Sequence, residues 1–182
     1  TTPSTPCSTP WSPAISSFGR HVRVALMDDR LRANRANWEA RTPVHLGSRF
    51  YDVDGWLADG RGPRAWEAEA LGDVAGLRLL HLQCHIGTDT ISLARLGARM
   101  TGLDFSGASL TEARRIATMV GADVDFVQSD VYDAVEALGG PGRFDLVFTG
   151  IGALCWLPGI ARLGEVVATP LRPGGPIGGA HV

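Results

Sequence analysis

Asp104 and the turn at Gln83–Gly87 are the residues of this sequence whose types and spacing fit the binding of a nucleoside. The turn follows a short apolar run, Leu77–Leu82, and precedes apolar residues at helical spacing. Asp104 ends the next apolar stretch, about 20 residues further on, where an acid can accept hydrogen bonds from ribose hydroxyls. The free N–H groups of the helix after the turn would face an anionic part of the same ligand. This unit predicts a nucleotide-binding half of an α/β sheet.

The glycine content of the turn argues against a dinucleotide. A G-x-G-x-x-G turn lets the backbone approach a pyrophosphate closely. Here Gly87 is the one glycine of the turn, and Gln83 and His85 occupy the other small positions. A pyrophosphate would be crowded by these side chains, whereas a ligand without phosphates would fit. A nicotinamide dehydrogenase is therefore disfavoured.

Asp130 and Val131 offer a second contact to an adenosine. They follow a short apolar segment, Val124–Gln128, which predicts a third strand. A carboxylate just past that strand can accept from the adenine amine, and the next backbone N–H can donate to a ring nitrogen. The alternative for Asp130 is an ordinary helix N-cap, but its position after Asp104 favours adenine binding. Phe105 either flanks the adenine ring or packs beneath the turn.

Alternating strands and helices predict the doubly wound sheet that must position these groups. Ser106 is the expected N-cap of the second helix, and Gly121 is its expected stop. Gly150 follows the fourth strand, where ligands bind in such sheets, and it would leave room for a substrate. Trp156 either walls that pocket or packs in the core. The other expected elements are strands at Ala98–Leu103, Arg143–Thr149 and Pro176–Ala180, a helix at Ile160–Ala168 and a turn at Leu171–Gly175.

The first 76 residues are interpreted as a tail and a helical cap. Residues 1–21 are rich in Pro, Ser and Thr, which predicts a disordered or loosely docked tail. A helix is expected over 22–41, stopped by the Thr42–Pro43 pair. A second helix is expected from Pro63 to about Leu71, because proline suits the first helical turn. Residues 22–76 are then the cap, and residues 77–182 are the core.

Composition limits the classes of function. The 182 residues suffice for one α/β domain. With 17 basic and 19 acidic residues and a net charge of −2, no nucleic-acid or anionic-membrane surface is expected. The apolar runs are shorter than the roughly 18 residues of a membrane span, and the N-terminus lacks a secretory signal pattern. Three separated cysteines form no disulfide framework, so reduced thiols and a cytoplasmic location are expected.

The first turn resembles the first motif of the class I S-adenosylmethionine-dependent methyltransferases. Leu82, Cys84, Gly87 and Asp104 match the family pattern, and the form His-Leu-Gln-Cys-His-x-Gly is similar to a bacterial subfamily that acts on small molecules. Ser-Asp-Val at 129–131, Phe-Asp-x-Val at 144–147 and Leu-x-Pro-Gly-Gly at 171–175 resemble later motifs of the same family. Together these motifs span residues 77–175.

The resemblance implies a Rossmann-like sheet of strand order 3-2-1-4-5. It also implies S-adenosylmethionine as cofactor, S-adenosylhomocysteine as product and in-line methyl transfer to a small-molecule acceptor. The expected substrate residues are Gly150 and Trp156. The cofactor-binding residues that the resemblance implies are His81, Gln83, His85, Gly87, Asp104, Phe105, Asp130, Val131 and Thr149.

The segment Asn34–Asp59 resembles the cap of the same subfamily, which covers the cofactor and helps to form the substrate cavity. His45 and Tyr51 supply a titratable base and a hydroxyl there. With His85 they are the candidates for a general base, since a histidine is best matched near neutral pH. The alternative is that the cap residues only pack onto the sheet.

Three functions stay open. The leading hypothesis is a small-molecule methyltransferase; the others are a catalytically silent S-adenosyl-ligand binder or partner subunit, and a related fold reused for a non-methylating reaction. No metal is expected, because His81, Cys84 and His85 lack the ligand spacing of a structural zinc site. The full fold adds two strands after the fifth, and the sequence ends before them. Association through the open strand-five edge, as a homodimer or with a partner, is therefore expected.

Overall fold

A computed structural model describes residues 14–60, 62, 69–150 and 152–179. Helices and strands alternate from residue 78 onward, as the apolar periodicity predicts. One 3₁₀ turn, Val131–Asp133, follows the third strand, and another, Leu154–Trp156, follows the fourth. The helices are α1 (Ala14–Leu46), α2 (Val53–Asp59), α3 (Thr88–Arg95), α4 (Gly107–Val120), α5 (Ala134–Ala137) and α6 (Ile160–Ala168). The strands are β1 (Arg78–Leu82), β2 (Arg99–Asp104), β3 (Val124–Gln128), β4 (Leu146–Thr149) and β5 (Ile177–Gly179).

The five strands form one parallel sheet in the order β3-β2-β1-β4-β5, which confirms the predicted topology. Strand β1 lies at the centre and pairs with β2 and β4, with Leu82 opposite Leu103 and Thr149. Because all strands run the same way, the segments that follow β1, β2, β3 and β4 meet at one edge. The strand order reverses between β1 and β4, the place where ligands bind in such sheets.

Both faces of the sheet are buried. Leu80, Leu82 and Val147 pack on one side with residues of α6. Leu79 and Phe148 pack on the other side with Leu93 of α3. Side chains that alternate between two apolar layers explain why β1 appears in the sequence as a nearly continuous apolar run.

A third apolar cluster holds α2 against α3 and α4. Trp56 of α2 packs with Ile91 and Ile116, and its indole N–H donates to the Ser92 hydroxyl at 3.2 Å. The helix α2 was not predicted, because its seven residues are too few to show a clear period. Tertiary packing therefore specifies this helix.

The N-terminal helix differs from the prediction at both ends. α1 begins at Ala14, inside the segment predicted to be a tail, and continues past Pro43 to Leu46. The predicted stop at Thr42–Pro43 is wrong: the Thr42 hydroxyl, 2 % exposed, lies 2.9 Å from the Ser109 hydroxyl of α4. That anchor holds the last turn in place although proline supplies no N–H. Residues 1–13 and 63–68, which carry the rest of the predicted tail and most of the second predicted cap helix, lie outside the described residues.

The caps of α4 follow the sequence prediction. The Ser106 hydroxyl accepts from the Ser109 N–H at 3.1 Å, and Gly121 ends the helix in the left-handed conformation at φ 66°. The predicted strand limits also agree with the structure to within a few residues. Within the described ranges, no helix is both long and apolar enough to cross a membrane.

Candidate functional site

A cleft lies at the carboxyl edge of the sheet, between the turn after β1 and helix α1. It is lined by Trp38 of α1, the turn residues Gln83 and His85, and the acid Asp104. Phe105 borders this cleft and two adjoining depressions, both of which reach Asp130. Asp104, Phe105 and Asp130, three of the residues predicted to bind an adenosyl ligand, therefore line depressions that adjoin one another.

Asp104 is buried at the end of β2 and lines the cleft. Its Oδ2 accepts from the His85 backbone N–H at 2.8 Å, and its Oδ1 accepts from the Ser106 N–H at 2.8 Å. Burial raises its pKa to about 6, against the lowering effect of these N–H groups, and the nearby Glu39 charge also raises it. The carboxylate is thus held in a fixed orientation with its remaining lone pairs available to hydroxyl donors.

The turn after β1 is shaped by positive φ angles. Gln83 and His85 have φ of 58° and 52°, which cost roughly 1 kcal/mol or more each for a residue with a Cβ. Gly87 has φ 76°, and a Cβ there would lie 3.0 Å from Phe126 and Ala113. Position 87 therefore requires glycine. At positions 83 and 85 the backbone is strained, and both residues place a side chain in the cleft.

Three buried polar atoms at the end of β1 and in this turn have no hydrogen-bond partner within the part of the chain that the structure describes. They are His81 Nε2, Gln83 Oε1 and His85 Nδ1, and all three residues line the cleft. Leaving such an atom unpaired costs about 1–3 kcal/mol. Their concentration at the end of β1 and in this turn indicates a ligand-binding surface, since buried polar atoms are nearly always satisfied elsewhere in native folds.

His81 is held rigidly in the sheet. Its Nδ1 lies 2.8 Å from the Thr90 hydroxyl, and its ring stacks on Phe148 at 4.2 Å between centroids. Burial lowers its pKa to about 3, so the imidazole is neutral near pH 7. Its buried Nε2 faces Gly150, where an added Cβ would lie 3.4 Å away.

His85 belongs to an aromatic cluster with α1. Its Nε2 lies 3.1 Å from His45 Nδ1, and its ring centroid lies 5.1 Å from Trp38 and 5.0 Å from Tyr51. Burial and the neighbouring His45 lower the pKa of His85 to about 3. Burial and the Arg41 charge lower the pKa of His45. The predicted base candidates His45, Tyr51 and His85 are thus in mutual contact.

Asp130 caps the 3₁₀ turn that follows β3. Its Oδ1 accepts from the Tyr132 N–H at 2.9 Å, so the capping alternative describes one of its contacts. The half-buried carboxyl group also lines the groove beside Phe105 and Val131, and burial raises its pKa. Capping and groove lining coexist at Asp130.

Not every predicted residue lines the main cleft. Asp104, Phe105, Gly150 and Trp156 line it, together with His81 of β1 and the turn residues Gln83 and His85. Asp130 and Val131 line the adjoining depression. Gly87 shapes the turn from behind, and Thr149 is buried at the end of β4, paired with Leu82.

The sequence analysis missed the residues that hold α1 over the cleft. The Glu39 carboxylate accepts from the Gly107 and Ala108 N–H groups, at 2.7 and 2.9 Å, and so fills the N-terminus of α4. The Asn34 amide donates to the Trp156 carbonyl at 2.8 Å. Glu39 belongs to the Asn-Trp-Glu stretch at residues 37–39, inside the segment that resembles the cap, and this stretch was the available signal.

A parallel sheet of this order, with a buried acid after β2 beside the turn after β1, defines a class I methyltransferase type of fold. Residues 80–177 match the family described as methyltransferase domain, and the chain belongs to that family.

Curated relatives and solved structures agree with this assignment. The ubiquinone biosynthesis O-methyltransferases of Nitrosococcus oceani and Aeromonas salmonicida are 35 % and 31 % identical to it, over 57 % and 71 % of the chain and 43 % and 55 % of their own lengths. An S-adenosylmethionine-dependent methyltransferase from Mesorhizobium loti has a TM-score of 0.53 and 28 % identity over 69 % of this chain and 53 % of its own. The complex of DhpI with SAH has a TM-score of 0.59 and 25 % identity, over 81 % and 67 %. The chain spans about half the length of the curated relatives that it matches.

The residues present fit the S-adenosylmethionine that this family uses. Asp104 is a buried, oriented carboxylate that would accept from ribose hydroxyls, and the unpaired atoms of His81 and Gln83 would supply polar contacts beside it. The turn has no row of glycines for a pyrophosphate, and S-adenosylmethionine carries no phosphate. The donor set therefore agrees with the cofactor of the family.

Proposed function

We propose that this chain transfers the methyl group of S-adenosylmethionine to a hydroxyl oxygen of a small molecule. The observation that carries the proposal is the buried Asp104 carboxylate, which lines the same cleft as the first-motif turn. Membership of the methyltransferase domain family supports the reaction. The O-methyltransferase names of the relatives support an oxygen acceptor.

The groove residues divide between the two ligands. Asp104 accepts from the ribose hydroxyls, and Phe105, Asp130 and Val131 form the adenine site. His81 and Gln83, with unpaired buried atoms, bind the amino-acid end of the cofactor.

The acceptor lies on the other side of the cleft. Gly150 and Trp156, after β4, border it, and the exposed Phe50 lines the mouth. The sulfonium supplies an already activated methyl group, so the protein aligns the reacting atoms, excludes water and removes the acceptor proton.

A silent binder of the same cofactor is the second candidate function. The observation that favours it is the pair of bulky side chains, Gln83 and His85, in a turn that glycines usually form. Such a protein would bind S-adenosylmethionine without turnover. Measurement of S-adenosylhomocysteine formation distinguishes it from the enzyme.

The test is calorimetric titration with S-adenosylmethionine and S-adenosylhomocysteine. Asp104→Asn removes charge-assisted contacts worth about 1.5–3 kcal/mol, so the Kd should rise roughly 10- to 100-fold. Asp125→Asn, on the exposed face of β3 at the other edge of the sheet, is the matched control and should leave the Kd unchanged. Absence of binding by the unmodified chain would refute the proposed function.

A further inference from the structure

His85 and His45 form a hydrogen-bonded pair that joins the inside of the cleft to the surface. His85 lines the cleft, and its buried Nδ1 has no hydrogen-bond partner among the described residues. Its Nε2 lies 3.1 Å from His45 Nδ1, and His45 is partly exposed to solvent. A hydrogen bond between two ring nitrogens requires that one of them carries a proton and that the other offers a lone pair.

The surroundings hold the pair in a single geometry. Trp38 lies edge-on to both rings, at 5.4 Å from His45 and 5.1 Å from His85. The Tyr51 ring lies 5.0 Å from each of them. The Asp104 carboxylate, at the end of β2, accepts from the His85 backbone N–H and so fixes the backbone of His85.

We propose that His85 and His45 are a two-imidazole relay that carries the proton of the acceptor hydroxyl out of the cleft. This inference rests on the proposed function. The hydroxyl oxygen forms the new bond to the methyl carbon, and the sulfur–methyl bond breaks with its electron pair staying on sulfur. The hydroxyl proton passes to His85 Nδ1, the Nε2 proton passes to His45 Nδ1, and the His45 Nε2 proton leaves to water.

The charge balance of the cleft favours such a relay. Before transfer the positive charge is on sulfur, and the proton that replaces it passes through the imidazole pair to water, so the buried site never holds an additional charge. His85 is neutral near pH 7, since burial lowers its pKa to about 3, and a neutral ring has a lone pair to accept the proton. Among the described residues, Arg41 of α1 disfavours charge on His45, and the Asp104 carboxylate of β2 accepts from the His85 backbone N–H.

His81 cannot take this role. Its Nδ1 is bonded to Thr90 inside the core, so a proton accepted on Nε2 has no second ring through which to leave. The relay requires two hydrogen-bonded imidazole rings, the second of which reaches solvent, and among the described histidines only His85 with His45 provides them.

The experiment, at about pH 8, compares two acceptors of different acidity: catechol, which stays protonated, and 4-nitrocatechol, which is largely ionised. His85→Asn suits the positive φ of this position and should lower kcat with catechol about 10²- to 10⁴-fold, the usual contribution of a general base. His45→Gln should lower it roughly 10-fold or more. With 4-nitrocatechol both variants should stay within about threefold of the unmodified chain, because no proton needs to leave. The Kd for S-adenosylmethionine should not change.

Trp38→Phe is the matched control, since it loosens the packing around the pair without removing a nitrogen. It should slow both acceptors by the same factor. An equal loss with both acceptors in His85→Asn, with cofactor binding retained, overturns the relay and leaves the proposed function standing. If the unmodified chain does not bind S-adenosylmethionine, the proposed function is overturned instead.

A second measurement decides the matter if neither catechol is methylated. Nitrogen-15 NMR of the full chain reports the tautomer of each imidazole. The relay requires the proton of His85 on Nε2 and a bare Nδ1. A proton found on His85 Nδ1 overturns the proposal.

Discussion

The free energy of unfolding should rise with pH between 4.5 and 5.5, because two buried histidines outweigh one buried acid. The pKa of His81 and of His85 is lowered by burial to about 3. In this window the unfolded chain therefore binds two protons that the folded chain does not. The pKa of Asp104 is raised by burial to about 6, so the folded chain there binds one proton that the unfolded chain lacks.

The magnitude follows from proton linkage. Each group changes the free energy of unfolding by about 1.4 kcal/mol per pH unit. The histidine contribution is present above the unfolded pKa near 6.5 and is lost as the pH falls below it. The Asp104 contribution has the opposite sign: it is present below about 3.8 and is lost as the pH rises towards 6. Two histidines against one acid leave a net slope of about +1.4 kcal/mol per pH unit.

Two further pKa shifts do not change the sign of this slope. The pKa of His45 is lowered, by burial and by Arg41, which steepens the rise just below pH 6.5. The pKa of Asp130 is raised by burial, which opposes the rise just above the usual carboxyl range. Asp145, whose pKa is lowered to about 2 by its contacts with Arg78, titrates below the window.

Urea denaturation at a series of pH values measures the slope. Asp104→Asn removes the opposing acid and should steepen it to about 2.8 kcal/mol per pH unit, whereas His81→Gln should bring it close to zero. The midpoint and the urea dependence are both recorded, so that a change in compactness is not mistaken for a change in stability. A flat or falling curve for the unmodified chain, or the same slope in all three proteins, would refute the reasoning.

Three further substitutions test the local structure by urea denaturation at pH 7. Gly87→Ala should destabilise the fold by about 1–3 kcal/mol, since its Cβ would meet Phe126 and Ala113 at 3.0 Å with φ at 76°; an unchanged midpoint would show that the turn adapts freely. Glu39→Gln should lower the free energy of unfolding by about 1–2 kcal/mol, because it weakens the contacts with the Gly107 and Ala108 N–H groups. The control Glu112→Gln, in an exposed pair with Arg115, should lower it by less than about 0.5 kcal/mol. Asp145→Asn should cost about 1 kcal/mol, because the carboxylate accepts from the Arg78 backbone N–H and side chain; equal stability at low and high salt in both proteins would contradict an ionic origin.

The sheet could be predicted from the sequence because its signals are local. The apolar run before Gln83, the Ser106 cap and the Gly121 stop each specify a boundary through short-range chemistry, and the structure has all three. The strand order came from the resemblance to a known family, since apolar periodicity does not say which strands are neighbours.

The cap could not be predicted to the same extent, because long-range contacts determine it. α1 continues through Pro43 because Thr42 bonds Ser109, far away in sequence. The cluster of His45, Tyr51 and His85 likewise brings together side chains from α1, the following segment and the first turn. The sequence showed these three as candidate bases, but the hydrogen bond that orders two of them is visible only in three dimensions.

The position of Glu39 has a consequence for how molecules reach the cleft. Raising α1 off the sheet would leave two α4 amides without an acceptor and would also break the contacts of Asn34 and Thr42. Such an opening is energetically unfavourable compared with a rearrangement at the rim. Ligands should therefore enter and leave beside Phe50, a residue 71 % exposed at the edge of the cleft. The helix α1 should stay in place over the cleft while they do so.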